Sequence, residues 1–280
     1  TAEITIIVNP LPTITIDATE LEICVGESTT ITAMGGDTYT WITLPDGASH
    51  TLSPTTTTTY NVTGTDGNGC ENTAEITITV NPLPTITIDA TDLEICIGES
   101  TTITAMGGDT YTWVTLPAGA SHTVSPTATT TYNVTGTDGN GCENTAEITI
   151  TVNPLPTITI DATDLEICIG ESTTITAMGG DTYTWVTLPA GASHTVSPTA
   201  TTTYNVTGTD GNGCENTAEI TITVNPLPTI TIDATDLAIC VGESTTLTAM
   251  GGDTYTWITL PNGANHTVSP TTTTTYNVTG

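Results

Sequence analysis

One segment recurs along the chain with a fixed spacing of 72 residues, and this periodicity constrains the fold more than any other feature. The period is marked by two sets of cysteines, Cys24, Cys96, Cys168 and Cys240 in the first and Cys70, Cys142 and Cys214 in the second. A period of this length is too long for an ankyrin or leucine-rich solenoid unit, and it matches the size of a small domain. We therefore expect independent domains in tandem rather than a stacked superhelix.

The phase of the repeat predicts the domain boundaries. Residues 1–8 read TAEITIIV and match TAEITITV at 73–80, so 1–10 are assigned to the last strand and linker of a preceding repeat. Residues 11–82, 83–154 and 155–226 are then complete repeats, and 227–280 are a fourth repeat that lacks its final hairpin and strand. Because the chain has no initiator Met and no signal peptide, we expect it to belong to a longer polypeptide.

The residues of each repeat favour β-strands. In the first repeat, polar and apolar residues alternate over 13–16, 29–33 and 74–80, and Asp-Gly-Asn-Gly at 66–69 is a strong hairpin signal. About seven short strands separated by frequent turns predict an all-β chain, a tandem array of immunoglobulin-like antiparallel β-sandwich domains of about 72 residues each. One Trp and one Tyr per repeat are expected in the core: Trp41, Tyr60, Trp113, Tyr132, Trp185, Tyr204, Trp257 and Tyr276.

Charge and hydropathy exclude nucleic acid as a partner and membrane insertion of this segment. There are no Lys or Arg residues and 30 Asp plus Glu residues, so the chain cannot neutralise the phosphates of nucleic acid. No apolar run is long enough for membrane insertion in this segment.

Two acidic places are candidates for calcium. One consists of Asp66 and Asn68 in the hairpin, and the other of Asp89, Asp92 and Glu94 near a domain junction. A tight hairpin and a solvated acidic edge explain them better, because the spacing of later calcium ligands is missing. We therefore expect no cofactor, and we keep calcium as the only candidate.

Each repeat also carries one histidine, His50 in the first. Adjacent residues of a strand, such as Ser49 and His50, point to opposite faces, which argues against a catalytic Ser–His pair. We interpret the histidines as surface residues of an edge strand, and we predict that the chain is not an enzyme.

A longer pattern suggests a family. The segment from Cys24 reads Cys-x-Gly-Glu-Ser-x-Thr-[Ile/Leu]-Thr-Ala-x-Gly-Gly, followed by Tyr-x-Trp and by Ser-Pro-Thr-x-Thr-Thr-Thr-Tyr-x-Val-Thr. This pattern resembles the Ig-like or PKD-like repeats of giant Bacteroidota surface proteins, among them gliding-motility adhesins exported by the type IX system. The resemblance covers the whole chain, and it implies a secreted stalk at the cell surface.

Cysteines at fixed positions in an extracellular β protein usually form disulfides. Pairing within a repeat would join Cys24 to Cys70, but these residues are expected at opposite ends of a sandwich, about 20 Å apart. Because the bottom of one domain faces the top of the next, we favour pairing between domains: Cys24 with Cys142 and Cys96 with Cys214. The partners of Cys70, Cys168 and Cys240 would then lie outside the chain. Free thiols are the third alternative.

Three functions compete at this point. The leading one is a structural stalk or spacer of an extracellular filamentous adhesin or surface fibre, with adjacent repeats or identical chains as partners. The second is a subunit of a self-assembling filament, in which residues 1–8 complete the fourth repeat of another chain by donor-strand exchange. The third is a carbohydrate-binding module array of an exported hydrolase, which would make glycans a partner.

Overall fold

The computed structural model describes all residues, 1–280, and the chain divides into two compact units, 1–154 and 155–280. Each unit contains two of the sequence repeats. The regular structure consists of β-strands alone, which confirms the predicted all-β class. No helix has the length and apolarity needed to cross a membrane.

The unit 1–154 contains fourteen strands. Those of the first repeat are β1 (Thr15–Ala18), β2 (Glu22–Cys24), β3 (Thr29–Met34), β4 (Thr38–Trp41), β5 (Ser49–Leu52), β6 (Thr58–Thr65) and β7 (Glu71–Asn81). Those of the second are β8 (Thr87–Ala90), β9 (Glu94–Cys96), β10 (Thr101–Met106), β11 (Thr110–Trp113), β12 (Ser121–Val124), β13 (Thr130–Thr137) and β14 (Glu143–Asn153).

The unit 155–280 contains twelve strands. Those of the third repeat are β15 (Thr159–Ala162), β16 (Glu166–Cys168), β17 (Thr173–Met178), β18 (Thr182–Trp185), β19 (Ser193–Val196), β20 (Thr202–Thr209) and β21 (Glu215–Asn225). Those of the fourth are β22 (Thr231–Ala234), β23 (Thr245–Met250), β24 (Thr256–Trp257), β25 (Asn265–Val268) and β26 (Val278–Thr279).

Each of the first three repeats is an immunoglobulin-like sandwich of two sheets. In the first repeat the sheets have the strand orders β1-β3-β5 and β2-β7-β6-β4. All neighbours are antiparallel except β2, which runs parallel to β7. The second and third repeats have the same orders and pairings, because their sequences place the same residue types at the same positions.

The core of each repeat is its own cluster of buried side chains. In the first repeat Ile31 and Ile78 are 0% exposed, and Trp41 and Tyr60 lie beside them. The indole N–H of Trp41 donates to the carbonyl oxygen of Gly47 over 2.8 Å, so its one polar atom is satisfied inside the core. Separate clusters of the same composition form in the second and third repeats.

The sequence of residues 21–24 predicts a continuation of the first strand, but these residues do not continue it. Residues 22–24 form β2 in the opposite sheet, where Ile23 pairs with Val80 and is 2% exposed. The change of sheet is held by Thr29, which is 1% exposed. Its hydroxyl donates to the carbonyl oxygen of Glu20 over 2.7 Å and accepts the N–H of Glu20 over 3.1 Å.

The fourth repeat departs from the other three. Its second sheet contains only β24 and β26, and no strand corresponds to β2 or β7. Trp257 is buried as predicted, but Tyr276 is only half-buried, because no strand covers it as β7 covers Tyr60. Tyr276 therefore corrects the prediction of a core tyrosine in every repeat, while the other seven predicted core aromatics are buried.

Candidate functional site

The residues that recur with the cysteines meet at the junction between repeats. In the first repeat Cys24 ends β2 opposite Asn81, the last residue of β7. The N–H of Val25 donates to the carbonyl oxygen of Asn81 over 3.0 Å. Cys24 therefore lies where the chain leaves the first repeat through the linker Asn-Pro-Leu-Pro, 81–84, whose prolines restrict the backbone.

Cys142 lies at the other side of this junction, in the hairpin that joins β13 to β14. Its N–H donates to a carboxylate oxygen of Asp138 over 2.9 Å, and the same oxygen accepts the N–H of Asn140. These bonds fix a tight turn in which Gly141 has a φ of 83°, a conformation that favours glycine. The Asp-Gly-Asn-Gly hairpin at 138–141 therefore positions Cys142.

Cys24 and Cys142 form a disulfide with a Cα–Cα distance of 5.6 Å. It is the first of the two pairings between domains that the strand directions favoured. Cys24 is 8% and Cys142 is 0% exposed. Glu27 fixes the first of them, because its carboxylate accepts the N–H of Cys24 over 2.8 Å.

The other cysteines fall into two groups. Cys96 and Cys214 are disulfide-bonded, whereas Cys70, Cys168 and Cys240 are free thiols. The alternative pairing of Cys24 with Cys70 inside one repeat is therefore absent. Cys70 and Cys168 are half-buried and Cys240 is exposed.

An asparagine that the sequence reasoning missed holds the linker. The side-chain amide of Asn144, two residues after Cys142, donates to the carbonyl oxygen of Pro84 over 2.9 Å. Asn72 and Asn216 make the same bond to Pro12 and Pro156. Each pair is 60 residues apart in sequence, so the only available signal was that both residues recur with the cysteine period.

The histidines are not the surface residues that the sequence suggested. His50 pairs with Ile31, and its ring is half-buried edge-on to Trp41, with 5.6 Å between the ring centroids. Its Nε2 atom is buried and has no hydrogen-bond partner. The hydroxyl of Ser49 instead bonds that of Thr32 on the outer face, so no Ser–His pair forms.

Of the residues considered for calcium, Asp66 is bonded to backbone N–H groups, and Asp89 and Glu94 lie in opposite sheets. One carboxylate oxygen of Asp66 accepts the N–H groups of Asn68 and Cys70, both over 2.9 Å. These bonds, led by that of Cys70, lower the pKa of Asp66 below its ordinary value. The hairpin explanation therefore fits this carboxylate.

The second acidic group is divided between two sheets. Asp89 lies in β8, whereas Glu94 lies in β9 of the opposite sheet. Asp92 and Glu94 line a shallow hollow together with Glu99. No three His, Cys, Asp or Glu side chains in the chain are close enough to one another to hold a metal ion.

No aromatic side chain is exposed. The tryptophans are buried in the cores, and the tyrosines are buried or half-buried. The hydroxyl of half-buried Tyr39 is bonded to both backbone groups of Gly36, at 2.9 and 2.8 Å. A flat aromatic surface of the kind that stacks on sugar rings is therefore missing.

No protein-family model and no curated protein matches the sequence. Among solved structures, the chain is similar to a Ca²⁺-stabilised adhesin with which an Antarctic bacterium binds ice, with 22% identity over 93% of this chain and 88% of that chain and a TM-score of 0.37. It is also similar to part of a 1.5-MDa bacterial ice-binding adhesin, with 18% identity over 78% of this chain and 99% of that chain and a TM-score of 0.34. A structure of the titin domains I67–I69 gives 11% identity, 78% and 100% coverage and a TM-score of 0.40. At these identities and TM-scores, the likenesses say nothing about what this chain binds.

Proposed function

We propose that the chain is a spacer of an extracellular adhesin or surface fibre, in which the repeats supply length and the junctions supply stiffness. The observation that carries the proposal is the junction of the first two repeats, where a disulfide joins two separately packed domains. The two cysteines, Asn144 and the Asn-Pro-Leu-Pro linker of that junction recur with the 72-residue period. A function that depends on copying one unit end to end accounts for this recurrence.

Three independent restraints support stiffness at this junction. The disulfide fixes Cys24 to the hairpin of the second repeat. Asn144 holds the linker carbonyl of Pro84. Two prolines in the linker restrict its backbone dihedrals. With three restraints on a linker of four residues, we expect a narrow range of angles between the two repeats.

The surface chemistry supports an extracellular location. Disulfides persist in oxidising compartments, which include the cell surface. The chain has a formal net charge of −30 with no Lys or Arg, and this charge keeps neighbouring chains apart in solution. The assignment to gliding-motility-type adhesins is a finer proposal that depends on the motif resemblance alone.

The stiffness of the junction is measured with spin labels on the two repeats that it joins. Labels on non-natural residues at Thr51 and Thr123 occupy equivalent exposed positions of β5 and β12. Double electron–electron resonance should give a narrow distance distribution in the oxidised chain and a broader one after reduction. A matched pair of labels at Thr51 and Thr77, inside one repeat, should give the same distribution in both states.

The proposal fails if the oxidised junction already gives a broad distribution. It also fails if reduction leaves the distribution unchanged, because the disulfide would then contribute nothing to stiffness.

Carbohydrate binding and calcium binding are not part of the proposal. The buried position of Trp41 and the bonded hydroxyl of Tyr39 leave no platform for sugars. The Asp66 carboxylate is occupied by backbone N–H groups. A glycan array probed with the whole chain is expected to show no binding.

A further inference from the structure

Each of the first three repeats contains four asparagines, and only the one in the hairpin precedes a glycine. In the second repeat this residue is Asn140, which precedes Gly141. The other three, Asn133, Asn144 and Asn153, precede Val, Thr and Pro. An asparagine is deamidated when the backbone nitrogen of the next residue attacks its side-chain amide carbon. A β-branched residue hinders that attack, proline has no N–H to lose, and glycine presents no side chain, so Asn140 has the most reactive sequence context of its repeat.

Asn140 lies at the tip of the hairpin that carries a junction cysteine. The residue is exposed to solvent, whereas Cys142, two positions later, is 0% exposed and bonded to Cys24. A chemical change in the backbone at Asn140 therefore takes place beside the crosslink between the first two repeats.

The backbone around Asn140 is a type I turn over residues 138–141. The N–H of Gly141 donates to the carbonyl oxygen of Asp138 over 3.0 Å and closes the turn. Neither of the two central residues, Gly139 and Asn140, has a positive φ, and turns of types II, I′ and II′ each need one. Gly141 follows with a φ of 83°, as in hairpins whose type I turn ends in a bulge.

This turn keeps the reacting atoms of Asn140 and Gly141 apart. The attacking nitrogen, that of Gly141, has its hydrogen engaged by the carbonyl oxygen of Asp138. Ring closure also requires the nitrogen of Gly141 to eclipse the Cβ of Asn140, which for an L residue means a ψ of about −120°, whereas ψ at this place in a type I turn is about 0°. The turn must therefore open before the ring can form.

A carboxylate helps to hold the turn closed. One oxygen of Asp138 accepts the N–H groups of Asn140 and Cys142, both over 2.9 Å. With the bond of Gly141, three hydrogen bonds have to break before the attack. At the usual net strength of such bonds, the open turn is populated at roughly one part in a hundred.

We propose that Asn140 is a site of spontaneous deamidation whose reaction is controlled by the opening of this hairpin. In the open turn the nitrogen of Gly141 attacks Cγ of Asn140, its proton passes to the leaving amide group, and ammonia is released. Water then opens the five-membered succinimide at either carbonyl carbon and leaves aspartate or isoaspartate. The net reaction consumes one water and releases one ammonia, without oxidation. Asn68 and Asn212 hold the same position in the first and third repeats.

The isoaspartate product changes the junction permanently. Its main chain runs through the former side chain, so one methylene group is added between the Cα of residue 140 and Gly141. One oxygen of Asp138 then no longer reaches the N–H groups of both residue 140 and Cys142, and Cys142 is displaced from Cys24. A junction that stays open long enough to deamidate therefore does not recover its disulfide.

Deamidation is measured on the whole chain by mass spectrometry, after incubation in mildly alkaline buffer and cleavage at glutamate. The variant Asn212→Gln serves as the background, because residues 85–156 and 157–228 are identical and their peptides would otherwise coincide. In the folded, oxidised chain the reaction at Asn140 should be at least about a hundredfold slower than in urea, since only the open turn reacts.

A second variant tests the part played by the turn. Asp138→Ala removes two of the three hydrogen bonds, and it should accelerate the reaction in the folded chain by at least about tenfold. Glu147→Ala is the matched control, because it removes an exposed carboxylate of β14 outside the turn, and it should change the rate by less than about threefold. Near-ultraviolet circular dichroism of the buried tryptophans shows whether each variant is folded. If Asp138→Ala does not fold, the comparison of buffer with urea decides.

The effect on the junction is tested after chain aged in urea is returned to buffer and reoxidised with glutathione disulfide. Peptides that contain Cys142 then divide into those linked to Cys24 and those that are not. Electron-transfer dissociation, which distinguishes isoaspartate from aspartate, should find isoaspartate at least about threefold less often in the linked peptides. Asn140→Gln, aged in the same way, should recover the disulfide in the yield of the unaged variant.

Three results would overturn the proposal. They are equal rates of deamidation in folded chain and in urea, a folded Asp138→Ala variant that reacts no faster than Glu147→Ala, and isoaspartate that is equally frequent in linked and unlinked peptides. The spacer function does not depend on this chemistry, because the spin labels measure the stiffness of the intact junction.

Discussion

The junction disulfide gives the sharpest quantitative test of how the repeats are stabilised. Replacing both Cys24 and Cys142 by Ser removes a crosslink that spans 118 residues. By loop-closure entropy, this crosslink contributes about 4.9 kcal/mol if both repeats unfold together. If the first repeat unfolds while the second stays folded, the closed loop shortens to roughly 60 residues, and the contribution is about 4.3 kcal/mol. Because the dependence is logarithmic, a loss of about 4 to 5 kcal/mol is expected on either route.

Hydrogen exchange can measure this loss in the first repeat alone. The peptide 42–52 contains β5 and differs in sequence from the corresponding peptides of the other repeats. A free-energy loss of this size corresponds to roughly a thousandfold faster exchange of its protected amides. Cys168→Ser is the control, because Cys168 is a free thiol, and it should leave exchange in this peptide unchanged.

The reasoning is refuted if the double variant exchanges at the rate of the Cys168→Ser control. That result would mean that the disulfide does not restrict the unfolded chain, or that the first repeat never opens through global unfolding.

Three further predictions concern single residues of the first repeat. Gly35→Ala should lower its stability by about 3 to 5 kcal/mol in thermal melts, because Gly35 has a φ of 93° and an added Cβ would overlap the carbonyl oxygen of Thr13. The pKa of Asp66 is lowered in the folded state, first of all through the N–H of Cys70, so the contribution of Asp66 to folding stability is present above the unfolded pKa of about 3.9 and is lost as the pH falls through the folded value. Asp66→Ala should therefore reduce the pH dependence of the melting temperature in this acidic range. An unchanged dependence would contradict the stabilising role of this carboxylate. His50→Phe removes a buried Nε2 that has no partner, so the melting temperature should stay the same or rise, and a marked fall would show that the nitrogen is bonded in solution.

The sequence predicted the fold well where residues recur at regular spacings along the chain. The 72-residue spacing and the inward Trp41 and Tyr60 were sufficient for a tandem sandwich. Alternation and hairpin signals gave the directions of the strands, and these directions place Cys24 and Cys70 at opposite ends of one sandwich. This was sufficient to favour the pairing of Cys24 with Cys142 over a pairing inside one repeat.

The errors occurred where one pattern fits two arrangements. A three-residue strand such as 22–24 alternates in the same way in either sheet, so the sheet that it joins depends on contacts outside the segment, with Val80 and through buried Thr29. His50 was expected on the surface, although buried Leu52 two residues later shares its face of the strand and was the available signal. The amide bond of Asn144 to Pro84 joins residues 60 apart, and no local pattern could predict it.

The crosslink at the first junction also limits how far the molecule can lengthen under load. Without it, the 118 residues between Cys24 and Cys142 could extend to about 400 Å if their folds were lost. With it, the load passes from one sulfur to the other and bypasses that segment. Loss of a fold inside the bypassed segment would therefore leave the end-to-end length almost unchanged, so that an applied force would strain covalent bonds and would not lengthen the chain.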